Sequence, residues 1–184
     1  MGDIRTLLDW ENYKTVDTSK ACFGALFADC TVLTSAPDLP AMTLSPDCYG
    51  SMFARCTALV KAPDLPATTL AESCYRGMFL GCTALEKAPD LPATELAVLC
   101  YNLMFGNCLN LSTVTMSAPS DKITETEDCC SKWLYNAGTK AQKRTLQLKD
   151  KDAYDALKAK DCLPDNWKIG QCTVLDERNA KITE

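Results

Sequence analysis

Apolar side chains recur along this chain at two spacings that alternate. Leu70, Cys74, Met78 and Cys82 fall at steps of four, and Tyr75 and Phe79 fill the adjacent row, the stripe of an amphipathic helix. The next stretch, Leu85-Glu86-Lys87-Ala88-Pro89-Asp90-Leu91-Pro92, cannot prolong that helix. Each proline lacks a donor and drives the residue before it toward extended backbone. The pattern therefore predicts a helix of about three turns followed by a short strand. Thr69-Leu70-Ala71-Glu72 has capping-box spacing for the start of the next helix.

The alternation is periodic. Cys22, Cys48, Cys74 and Cys100 lie 26 residues apart, as do Cys30, Cys56, Cys82 and Cys108. The units 48–73 and 74–99 agree at 18 of 26 positions. A unit this short cannot bury its own apolar face, but stacked copies bury one against the next. The expected architecture is an α/β solenoid of 26-residue strand-helix units. Prolines at 37, 40, 63, 66, 89 and 92 predict few ladder bonds per repeat.

The unit CYxxMFxxCTALxxAPDLPATxLA resembles the BspA-like leucine-rich repeats, a divergent bacterial subclass with an aromatic-x-x-Cys-x-x-Leu core and a proline-containing strand. The matching residues are Phe27/Cys30/Leu33, Phe53/Cys56/Leu59, Phe79/Cys82/Leu85 and Phe105/Cys108/Leu111. The APxLPAT variant is similar to repeats of gut Bacteroidetes and their phages or mobile elements. The resemblance covers 22–117. It implies a leucine-rich-repeat-like stack with N- and C-terminal caps, used for adhesion or protein-protein contact, frequently at a cell surface, and without catalytic residues.

The ends read as caps. Residues 1–21 form a degenerate first unit, because Leu7, Trp10 and Tyr13 fall where Leu33, Ala36 and Leu39 fall 26 residues later. Residues 118–184 hold a final repeat and a capping module. Leu111-Ser112-Thr113-Val114 continues the strand position, and Cys129-Cys130-Ser131-Lys132-Trp133-Leu134 matches a helix at an offset of 29. A strand at Thr145-Leu146-Gln147-Leu148, a helix from Asp150 to Lys160, a turn at Leu163-Pro164-Asp165-Asn166 and a strand at Trp167-Lys168-Ile169 follow. Trp133, Leu134 and Trp167 are expected to bury against the last repeat, since an open end exposes a core-sized patch.

Composition narrows the function. With 184 residues and 47% apolar content, the chain has room for one core. Its apolar runs are far short of the roughly 20 residues that span a bilayer, so no membrane insertion is expected. A net charge of -5 and a pI near 4.8 argue against a nucleic-acid partner. Residues 22–117 carry four basic and eight acidic side chains, whereas 118–184 carry twelve of each. Met1-Gly2-Asp3-Ile4-Arg5 lacks the pattern of a secretory leader, which points to the cytoplasm or a virion, while the resemblance points to a cell surface or secretion. Localisation stays open between them.

There is no histidine, which excludes Cys-His and Ser-His-Asp catalysis and His-containing zinc sites. The repeat cysteines lack the paired spacing of zinc motifs, so neither a metal nor a cofactor is expected. On one helix Cys74 and Cys82 would stand about 12 Å apart, and helices of neighbouring repeats about 8–10 Å apart, both too far for a bridge. All eight repeat cysteines are therefore expected to be buried free thiols. Asp38, Asp64 and Asp90 form a row that is either a site for a cation or basic partner, or a set of solvated carboxylates each capping a turn before proline.

The positions that vary within the frame are Ser35/Lys61/Lys87/Thr113 and Thr34/Val60/Glu86/Ser112, which marks the strand side as exposed. The candidate binding residues are Ser35, Lys61, Lys87 and Thr113 with Asp38, Asp64 and Asp90. The expected partner is another protein or a cell-surface ligand. The expected function is an interaction or adhesion module without catalysis; the alternative is a structural or regulatory protein of a phage or mobile element, acting in the virion or cytoplasm.

Overall fold

The computed structural model describes residues 2–9, 11–12 and 22–183. The 26-residue period is a stack of coils joined by backbone hydrogen bonds. Two columns of rings record it: Phe23, Tyr49, Tyr75 and Tyr101 stack at centroid spacings of 6.0 to 6.2 Å, and Phe27, Phe53, Phe79 and Phe105 at 5.6 to 5.7 Å. The planes lie within 10° of parallel, so each ring covers the face of the next.

The half of each unit expected as a helix is not one. Among the described residues, the only α-helices are α1 (Ser120–Glu125) and α2 (Lys151–Ala159), both outside 22–117. The chain runs instead as overlapping four-residue turns. Met52 N donates to Tyr49 O at 3.2 Å and Ala54 N to Ser51 O at 3.0 Å, while the residues between donate across the stack, Ser51 N to Arg76 O at 2.7 Å and Phe53 N to Met78 O at 2.9 Å. Half of the amides are thus satisfied locally and half by the next coil, always in one direction along the stack.

Every fourth residue of this half takes positive φ: Asp47, Ser51 and Arg55 in the second coil, Ser73, Gly77 and Gly81 in the third, Leu99, Leu103 and Asn107 in the fourth. Glycine adopts this conformation freely and Asn or Asp with little strain, whereas other residues pay roughly 1–2 kcal/mol. An α-helix cannot hold such residues. A helix would also rotate its stripe by about 40° per four-residue step, whereas these turns keep steps of four aligned without drift.

The other half of each unit is extended and sparsely bonded, as its prolines predict. Val60 N and Lys61 N share Thr34 O, and Ala36 N donates to Lys61 O at 3.1 Å. Isolated parallel bridges join Ser35 to Lys61, Lys87 to Thr113 and Thr69 to Glu95. Only beyond the prolines does a ladder form. β1 (Thr113–Met116), β2 (Thr145–Leu148) and β3 (Thr173–Leu175) make a parallel sheet in that order. β1 occupies the repeat's own strand position and bridges back to Lys87 and Leu91, so the sheet prolongs the stack.

A single core of contacting apolar residues runs from Ile4 to Ile182. The offset of 29 holds at the fifth coil, where Tyr101 N donates to Cys129 O and Phe105 N to Trp133 O, both at 2.8 Å. Trp133, Leu134 and Trp167 are fully buried as expected. Trp133 Nε1 donates to Cys162 O and Trp167 Nε1 to Ala137 O, each at 3.0 Å, which ties the tail to the last coil. The strand expected at 167–169 is instead the end of a 3₁₀ turn, Asp165–Trp167, and the third strand starts at Thr173. Asp150 caps α2 by accepting from Ala153 N at 2.8 Å.

At the other end the register differs from the expected one. Asp3 bridges Asp38, and Ile4, not Leu7, enters the core; Leu7 is exposed. Trp10 and Tyr13 lie outside the described residues.

Candidate binding surface

The extended half projects its charged residues outward because its apolar ones alternate with them into the core. Leu65 and Leu91 are buried, and Asp64 and Asp90 beside them are exposed. Lys61 and Lys87 are exposed one step earlier in the same coils. These four line one shallow depression of about 310 Å³ with Val60, Ala62, Ala88 and Pro89. Asp38 is exposed in the coil before, while Ser35 and Thr113 are half-buried at the two ends of the lysine column.

Among the described residues, neither these lysines nor these aspartates enter an ion pair. A few surface charges elsewhere do. Arg55 pairs with Asp29 across adjacent coils, and that guanidinium holds the Asp29 carboxyl below the usual carboxylate range. Lys122 pairs with Glu95 at 2.8 Å, and the carboxylate raises the lysine above its ordinary value.

A second, larger depression, about 470 Å³, lies on the turn side, where Gly24, Gly50 and Gly77 leave out side chains beside Cys22, Asp47 and Arg76. Sequence reasoning assigned this side no role. Its signal was the run of glycines in a stretch taken as helical. The groove offers mainly backbone and small side chains, so its size does not make it the more specific surface.

The thiols answer the other part of the expectation. Cys48, Cys56, Cys74, Cys82, Cys100 and Cys108 are buried free thiols, but Cys22 is exposed and Cys30 half-buried, because the turn half of the first coil has a described neighbour on one side only. The expected 8–10 Å between repeats is also too large. Coils that share backbone hydrogen bonds stand about 5 Å apart, so equivalent thiols lie in close columns. Burial pushes Cys48 up to about 11 and Cys100 and Cys108 up to about 12, with Cys74 and Cys82 higher still. In one column the thiol is a close donor as well as a filler: Cys56 Sγ reaches Phe27 O at 3.0 Å, Cys82 Sγ reaches Phe53 O at 3.1 Å, and Cys108 Sγ reaches Phe79 O at 3.0 Å, whereas in the other Cys22 and Cys100 reach Asp47 O and Cys129 O only at 3.8 Å.

Among the described residues there is no group of His, Cys, Asp and Glu arranged to hold a metal ion, and no helix long and apolar enough to cross a membrane. Compared with protein-family models, curated proteins and solved structures, the chain matches none of them, and what is established is a stack of 26-residue repeats with a small parallel sheet.

Proposed function

We propose that this chain is a protein-protein interaction or adhesion module, a leucine-rich-repeat-like solenoid of the BspA-like kind that binds through its extended side and catalyses nothing. The observation that carries this reading is the exposed Lys61, Lys87, Asp64 and Asp90 gathered on one depression and, among the described residues, left without ion pairs. Solvated charges that answer nothing within a molecule are available to answer a partner, which they would steer and orient more than hold. The missing histidine supports the absence of catalysis.

The experiment is photo-crosslinking in the source cells with a benzophenone amino acid at Lys61, Lys87, Arg76 or Asn102. Discrete adducts from the first two sites and none from the last two are expected. Adducts confined to Arg76 and Asn102 would move the binding face to the turn side. The twelve unpaired thiols favour a second reading, a structural or regulatory protein of a phage or mobile element in a reducing compartment.

A further inference from the structure

The extended side keeps its two signs in separate columns. Lys61 and Lys87 stack in one, and Asp64 and Asp90 in the other, three residues further along each coil, which is about 10 Å of extended chain. Like charges thus recur at the coil spacing of about 5 Å, and among the described residues no ion pair relieves either column.

Such a face is complementary to itself in one orientation. A half-turn about an axis parallel to the stack, set above the line midway between the columns, leaves each coil at its own level and exchanges the columns. Lys61 then stands over Asp64 of the partner subunit and Lys87 over Asp90 of the partner subunit, and the same pairs recur in reverse, four in all. A half-turn about the other in-plane axis would set lysine over lysine and is disfavoured by repulsion. Val60, 61% exposed on the same depression, adds apolar surface at the outer edge of the lysine column. The turn side has no comparable pattern, since Gly24, Gly50, Arg76 and Asn102 succeed one another there at one repeat position.

We propose that the partner of the extended side is a second copy of this chain, joined in a parallel two-fold dimer through these four charge pairs. This rests on the reading of the extended side as the binding face. Exposed pairs contribute little each, so the dimer is weak, is favoured by low salt and is dispersed by high salt.

Sedimentation velocity of the whole chain over a concentration series tests it. The unaltered protein should shift from monomer to dimer at low ionic strength. Lys61→Asp/Lys87→Asp and Asp64→Lys/Asp90→Lys should each weaken that dimer by ~100-fold or more, since four attractions become four repulsions. Their equimolar mixture should form a heterodimer at least as readily as the parent, while Arg76→Glu should leave dimerisation unchanged. Circular dichroism of each variant checks that it remains folded.

Unaltered protein that stays monomeric at every concentration in low salt overturns self-association and leaves the binding-face reading standing, to be judged by the crosslinking above. A dimer that survives both reversals but is lost with Arg76→Glu overturns both, because the interface would then lie on the turn side.

Discussion

The first and third coils carry nearly the same pattern of residues and end in different environments. Cys74, Met78 and Phe79 are fully buried, whereas Cys22 is exposed, Leu26 is 46% exposed and Phe27 is half-buried. The side chains are equivalent and the number of stacked neighbours is not. Burial in this molecule therefore belongs to a position in the stack rather than to a residue type. The far end shows the same rule from the other direction: the fifth coil is covered, and Trp133 and Leu134 are as inaccessible as any residue of the third.

The sharpest way to break that comparison is to make the covered end resemble the first coil. Deleting residues 130–184 should leave the fourth coil as the end, expose Tyr101 and Phe105, and yield aggregated or insoluble protein on light scattering. A well-behaved truncated monomer would show instead that the tail is an independent unit.

Next in size is an alkaline effect of the buried thiols, strongest in the third and fourth coils. In the unfolded chain a thiol titrates near 8.5, whereas burial holds Cys74, Cys82, Cys100 and Cys108 far above that. With folded values raised, their contribution is complete below the unfolded value and is lost as pH rises through the folded values. One pH unit above 8.5 the loss is roughly 1.4 kcal/mol per thiol, or about 6 kcal/mol for the four. Urea midpoints should hold constant to about pH 8 and fall steeply by 9.5.

Truncating one ring compares the coils directly. Phe79→Ala removes a ring stacked on both faces and should cost about 3–5 kcal/mol. Phe27→Ala removes one with a described ring neighbour on a single side and should cost about half as much or less. Equal losses in paired denaturation curves would mean that the first coil is as well covered as the third.

The smallest contrast is between the two thiol columns. In Cys82→Ser the hydroxyl can still donate to Phe53 O, whereas the Cys74 side chain has no acceptor among the described residues. Losses of about 1 kcal/mol for Cys82→Ser and about 2–3 kcal/mol for Cys74→Ser are expected in the same measurement.

Much of this fold was legible in the sequence. The 26-residue recurrence of Cys22, Phe27 and Cys30 is enough to place their counterparts in columns. The offset of 29 at Cys129 located the fifth coil, and Asp150 marked the start of α2. The exposure of Lys61, Lys87, Asp64 and Asp90 was legible too, because they vary or carry charge inside a fixed apolar frame.

What the sequence by itself determined is therefore periodicity: which residues share a column, which point inward, and where prolines forbid a ladder. Only the tertiary structure decided how the chain runs between those columns. Steps of four over so few residues fit a helix and a row of turns equally well, and the choice depends on whether the alternate amides find acceptors four residues back or in the next coil. Stacking supplies the second set only once several coils are present, and it tolerates Ser51, Arg55 and Leu103 at positive φ because each coil is held by its neighbours. Neighbours likewise decided that Leu26 would remain in water while Met78, at the same repeat position two coils on, is sealed in the core.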